Sequence, residues 1–370
     1  MKLDNNHLAF YALVKAGLWE QDVLLSQYGQ IDFNEIYRLA EEQTVVGLVV
    51  AGLEHVSDII VPQAILLNFV GNALQIERRN VSMNSFINKL MGWIQNAGIF
   101  TILVKGQGVA QCYERPLWRS SGDIDLMFAG ADYENAKKRL ITFASSCDKE
   151  DVYKKHLAMS IDSWEVELHG TFRGRMWHRL DLVLDDLQND CLKNGSVRLW
   201  KNGTTEVPLP SPNNDSFFIF AHVLQHFFMG GIGIRQICDW CRLLWTYHDE
   251  IDIELLECRL NEARALPEWK AFAALAVDYL GMPTYAMPLY DSSKIWSKKA
   301  NKILNFINDL GNFGHNRDLS YQKKQFYLFR KINTFRLLSG DIFRHLSVFP
   351  KHSLIAWGNM FHSRIKYVFE

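Results

Sequence analysis

The sequence predicts an α+β protein: a mixed β-sheet core with helical regions before and after it. Three observations point there. Apolar residues recur at three- and four-residue steps up to about residue 97, short runs of strand length interleave with helical stretches across the middle third, and helical periodicity returns beyond a cluster of prolines. These mark regions at 1–97, 98–210 and 211–370. A chain of 370 residues is also longer than one small core usually organises.

In the first region Asp32 caps a helix over Phe33 to Ala40, and a long helix after Pro62 carries Ile65, Leu66, Phe69, Ala73, Ile76, Phe86, Leu90 and Ile94 on its apolar face. The pattern changes at Gly98. Ile99 to Val104 is a β-branched run of strand length ending in the turn Lys105-Gly106-Gln107-Gly108, and a short helix follows through Ala110 to Tyr113. Pro116 and Gly122 bound a loop, and Asp123 to Phe128 alternates with period two as a second strand. Asp132 caps a helix to about Ser145, and Trp164 to His169 is a further alternating strand. Pro208, Pro210 and Pro212, three prolines in five residues, read as a loop that ends the core. Beyond them Asp215 begins a helix over Phe217 to Met229, and Arg235 to Tyr247 forms the next.

Composition narrows the function. Forty basic residues against forty-one acidic give a net charge of −1, which excludes a body that is basic all over for nucleic acid. The balance is uneven: from Tyr321 to the end nine Lys/Arg face two acidic residues, with aromatics interleaved. That basic aromatic region is either a possible polyanion contact or a set of amphipathic helices with a solvated basic face. No stretch approaches the ~20 apolar residues of a membrane span and no signal segment opens the chain, so the expectation is a cytoplasmic protein without a transmembrane segment. Six scattered cysteines suit a reducing compartment. Cys238 and Cys241 form a CxxC with no second pair after it, which argues against structural zinc.

The informative feature is strand facing. Period two puts Ile124, Leu126 and Phe128 on one face and Asp123 and Asp125 on the other; it likewise separates Trp164, Val166 and Leu168 from Glu165, Glu167 and His169. Two aspartates about 7 Å apart at Cα can converge on one hard cation, and a strand glutamate would complete a three-carboxylate site for two divalent ions. Alternation leaves Glu165 and Glu167 equivalent. Lys105, Gly106 and Gly108 form a cationic, close-approach turn suited to phosphates, and Arg119 either reaches a phosphate or holds the loop shut. His222 and His226 share a helix face. With Asp239 they form either an accessory acceptor-binding cluster or helix packing beside the cleft.

Residues 103–128, Leu-Val-Lys-Gly-Gln-Gly through Arg-Ser-Ser-Gly-Asp-Ile-Asp-Leu-Met-Phe, resemble the core of a nucleotidyltransferase of the DNA polymerase beta superfamily. More narrowly, they are similar to an uncharacterised bacterial nucleotidyltransferase family whose pattern continues as Glu167-Leu168-His169, then His222, His226 and Gly233 to Trp240, so the resemblance covers about 98–245. It implies a polymerase-beta-like core and Mg²⁺- or Mn²⁺-dependent transfer of a nucleoside monophosphate from an NTP to an acceptor hydroxyl. By motif position Asp123, Asp125 and Glu167 would be the catalytic, metal-binding carboxylates, with Lys105, Gly106, Gly108 and Arg119 at the nucleotide phosphates. His169, His222, His226, Arg235 and Asp239 would be accessory. Lys105-Gly106 stands where most of the superfamily has Gly-Ser or Gly-Gly. The acceptor, a small molecule, a protein or RNA, is not named by the sequence. A degenerate nucleotide-sensing or protein-interaction module is the alternative, and a glycosyltransferase using Asp-x-Asp ranks below it.

Overall fold

The computed structural model describes residues 3–152, 155–229, 231–312, 340 and 344–369, with side chains as far as residue 359. Four helices precede the sheet: α1 (Asn5–Trp19), α2 (Phe33–Glu42), α3 (Val46–Glu54) and α4 (Gln63–Gln95). Asp32 caps α2 as expected, its carboxylate accepting from the Asn34 N–H. At 33 residues α4 is about 50 Å long. Its C-terminal half, from Met83 through Ile94, forms one wall of the core beneath the sheet.

The sheet holds β1 (Ile102–Val104), β2 (Ile124–Met127), β3 (Ser146–Cys147), β4 (His156–Ile161) and β5 (Trp164–His169) in the order β1-β2-β5-β4-β3. Only β2 and β5 run parallel; the other pairs are antiparallel. The expected facing holds. Leu103, Ile124, Leu126, Phe128, Val166 and Leu168 turn to α4 and to α6 (Gly130–Ile141), which adds Tyr133, Ala136 and Leu140. The opposite face presents Val104 and Met127 beside the carboxylates and is roofed by α8 (Pro212–Met229).

Several boundaries differ from the sequence reading. β1 begins at Ile102 rather than Ile99, and the helix after it, α5 (Gly106–Ala110), starts at once instead of running through Ala110 to Tyr113. The cause is local: Lys105 (φ 59°) and Gly106 (φ 41°) turn the chain directly from strand into helix. Asp132 lies in the first turn of α6 rather than at its cap, which is Ala129. The proline cluster is not a loop. Pro208 and Pro210 belong to a hairpin of β6 (Val197–Asn202) and β7 (Thr205–Pro210), opposite Leu199 and Val197, and Pro212 opens α8. A two-stranded sheet leaves each strand an unpaired side, which is where proline's missing N–H is tolerated, and proline suits the first turn of a helix. Gly203-Thr204, with Gly203 at φ 61°, supplies the two-residue turn.

After α7 (His178–Leu192) and α8, the chain continues as α9 (Ile234–Thr246), α10 (Ile253–Glu262), α11 (Leu266–Leu280), α12 (Lys294–Leu310) and α13 (Pro350–Phe369). Helices from both ends of the chain bury side chains in one shared core: Phe10 and Leu13 of α1 join Trp240 of α9, Trp269 and Phe272 of α11, and Ile303 of α12. Most of the basic aromatic segment from Tyr321 lies outside the described residues. Among the described residues, no helix is long and apolar enough to cross a membrane.

Candidate functional site

The site is built where β1 ends and β2 begins, beside the second half of β5. Asp125 and Glu167 are register partners across the parallel pair β2–β5, and Val104 sits opposite Asp125 across β1–β2. Oxygens of Asp123, Asp125 and Glu167 therefore converge to within 4.8 Å of one another. Glu165 pairs with Ser160 at the far end of β5, is exposed, and stands outside this cluster. Strand register thus separates two glutamates that alternation alone leaves equivalent.

The carboxylates sit in different environments. Asp125 is 2% exposed, and its Oδ1 accepts from Lys105 Nζ at 2.8 Å and from His169 Nε2 at 2.8 Å. Burial alone would raise its pKa, but Lys105 and His169 hold the carboxyl below the usual range. Glu167 is likewise held well below it: burial is outweighed by hydrogen bonds from His156 Nε2 at 3.0 Å and from His169 Nε2 at 3.3 Å. Asp123 lacks such partners, and burial together with the Asp125 charge pushes its carboxyl up. His169, despite burial, is raised by Asp125 and Glu167. Lys105 is raised as well, the Asp125 charge outweighing its burial.

Two cavities meet at this cluster, and Lys105, Glu167, His222 and His226 line both. The smaller, about 290 Å³, is bounded by Gly106, Arg119, Asp123, Asp125, Arg235 and Asp239. The larger, about 460 Å³, lies on the side of His156 and His169 and is closed by Phe172, Phe218 and Gln225. Both fall near the size range of small-molecule sites. The smaller gathers the cationic side chains Lys105, Arg119 and Arg235 beside Asp123, Asp125 and Asp239.

Arg119 lines the smaller cavity and also holds the loop before Asp123. Its Nε and Nη2 grip Asp239 Oδ1 and Oδ2 at 2.7 Å each, and its Nη1 donates to Ser121 Oγ at 2.9 Å, tying the loop before Asp123 to α9. Asp239 also accepts from the Tyr113 hydroxyl at 2.7 Å and lies 3.8 Å from Arg235. It shares the wall of the smaller cavity with His222 and His226, which pair with each other at 2.9 Å between Nε2 atoms. One of those nitrogens must be a donor and the other an acceptor. Burial and the Lys105 charge lower both histidines, His226 to about 4, so both are neutral at pH 7. Gly108 corrects another expectation. It faces the hairpin, where an added Cβ would lie 2.8 Å from Leu209, and it lines neither cavity. Cys238 and Cys241 are both buried in α9.

His156 is a site residue that sequence reasoning misses. It opens β4, directly opposite His169, and β4 lacks the clean alternation that marks β2 and β5. Tyr113 is a second, reached only through the contact with Asp239.

The donor set fits a hard divalent cation: three carboxylates, one of them held up by burial and the charge of its neighbour, with the Lys105 ammonium touching Asp125. The ion itself is not identified by these residues.

Comparison with protein families adds one finding: a family described as uncharacterised nucleotidyltransferase matches residues 29–281. That span takes in α2 through α11, more than the expected 98–245, so the helices around the sheet are part of the family pattern. No curated protein and no solved structure gives a match.

Proposed function

Given that the chain belongs to this nucleotidyltransferase family, we propose that it moves a nucleoside monophosphate from an NTP to an acceptor hydroxyl in a metal-dependent reaction, on a polymerase-beta-like core. The convergence of Asp123, Asp125 and Glu167 within 4.8 Å, at the junction of two cavities, carries this reading.

The smaller cavity suits the triphosphate. Lys105, Arg235 and the backbone around Gly106 face it, while Arg119 fixes the wall through Asp239. The larger cavity suits the acceptor, whose oxygen attacks the α-phosphorus as the bond to pyrophosphate breaks. Asp123, Asp125 and Glu167 would hold Mg²⁺ or Mn²⁺, which supplies charge neutralisation at the attacking and leaving oxygens. Glu167, its carboxyl held below the usual range by His156 and His169, would serve the metal, and it stands between the two cavities where it could also take the acceptor proton. Six free cysteines support a reducing, cytoplasmic setting.

A second reading, a nucleotide-binding module without turnover, draws on one feature: Lys105 and His169 already satisfy Asp125. A glycosyltransferase is disfavoured, because four helices occupy the stretch where that reading needs an α/β nucleotide-binding half.

The test is calorimetric titration with each NTP, with and without Mg²⁺, alongside pyrophosphate release in an acceptor screen. Metal-dependent NTP binding that Asp123→Ala abolishes is expected, with pyrophosphate released for at least one acceptor. Binding that ignores both metal and Asp123→Ala would remove the proposal, and binding with no release across the screen would favour the non-catalytic module.

A further inference from the structure

The larger cavity has its own set of convergent donors. His156 Nε2, Glu167 Oε2 and His169 Nε2 meet at its wall, with His156 Nε2 3.0 Å and His169 Nε2 3.3 Å from the shared carboxylate oxygen. All three come from the antiparallel pair β4–β5, in which His156 and His169 are register partners and Glu167 lies two residues before His169 on the same face. Bonds of about 2.0–2.2 Å to nitrogen and oxygen place neighbouring ligands of one four-coordinate ion a little over 3 Å apart, close to the separations seen here.

We infer that His156, His169 and Glu167 form a second metal site, selective for a borderline divalent cation such as Zn²⁺ or Co²⁺, adjoining the all-carboxylate site and sharing Glu167 with it. Imidazole favours these ions, whereas Mg²⁺ prefers oxygen ligands, so the two sites sort cations by donor type. Three carboxylates against the one Lys105 ammonium, which touches Asp125, leave a surplus of negative charge that one dication offsets. Without nucleotide the protein therefore takes up a single ion of this class. The ion would face the larger cavity through an open position, the arrangement of a site that binds a further ligand. The site stands on its three donors and holds whether or not the protein transfers nucleotides.

Metal-free full-length protein is titrated with Co²⁺ in the absence of nucleotide, with calorimetry and visible absorption as readouts. The expected result is one equivalent bound, with the intense d–d bands of a four- or five-coordinate site containing nitrogen. His156→Gln, a half-exposed position whose variant is checked for native circular dichroism, weakens Co²⁺ at least about tenfold and collapses those bands, and His169→Gln does the same. Asp123→Asn keeps the bands while weakening Mg²⁺-dependent NTP binding, so the failure of either site is seen separately. Weak six-coordinate bands in the wild type, or a folded His156→Gln protein with less than a twofold change in Co²⁺ affinity, would overturn the assignment.

Discussion

Asp239→Asn is expected to destabilise the protein by about 3–5 kcal/mol, the usual cost of leaving one partner of a buried ion pair without its counter-charge. The pair is Arg119 with Asp239, whose side chains are 4% and 7% exposed and joined by two hydrogen bonds of 2.7 Å. Both partners move in the direction of mutual stabilisation: burial opposes charge on each, yet Arg119 is raised and Asp239 is held below the usual carboxylate range. An asparagine keeps the shape and removes the charge. It leaves Arg119 and Arg235 facing each other, and Arg119 already lowers Arg235 after burial. Arg119→Met should cost less, because Asp239 retains the Tyr113 hydroxyl and the Arg235 guanidinium. Replacing both partners, Arg119→Met with Asp239→Leu, should cost less than Asp239→Asn alone, since no buried charge is then orphaned between them. Urea unfolding followed by fluorescence measures each variant. A loss below about 1 kcal/mol for Asp239→Asn, or a double variant as unstable as the two single losses added, would refute the reasoning.

Two further expectations follow from the site. Gly106→Ala should cost about 1 kcal/mol in thermal unfolding and weaken NTP binding, because φ is 41° there; the added Cβ meets only the Asp123 carbonyl at 3.5 Å, so the penalty is backbone strain rather than a clash. In metal-free protein, His169 has a pKa raised above its ordinary 6.5, so its contribution to stability is complete below that value and is lost as pH rises through the folded-state pKa. Stability of the wild type should accordingly fall above pH 6.5, and His169→Gln should flatten that fall; an identical slope in the two proteins would contradict the contacts drawn for this imidazole.

Local chemistry made much of the site legible in advance. Alternation in Asp123–Phe128 and Trp164–His169 is a property of the strand itself, so it assigns Asp123, Asp125 and one of two glutamates to the polar face with no knowledge of neighbours. The turn at Gly106 announces itself for the same reason: a β-branched run stops beside a glycine, which accepts positive φ, although Lys105 before it takes φ 59° as well. Misreadings occurred where local rules depend on surroundings. Prolines are excluded from central strands but not from a two-stranded hairpin, and sequence does not reveal how many neighbours a strand will have.

What only the tertiary structure decided is pairing across the chain. Register across β2–β5 selects Glu167 over Glu165, the β4–β5 register brings His156 to a carboxylate eleven residues away, and Arg119 reaches Asp239 across 120 residues. Side-chain facing repeats along a single strand and can be read from spacing, whereas register and ion pairing depend on which elements meet. The sequence by itself therefore determined the carboxylate chemistry of this protein; folding determined which carboxylates converge, which cation holds the loop, and that imidazoles stand beside them.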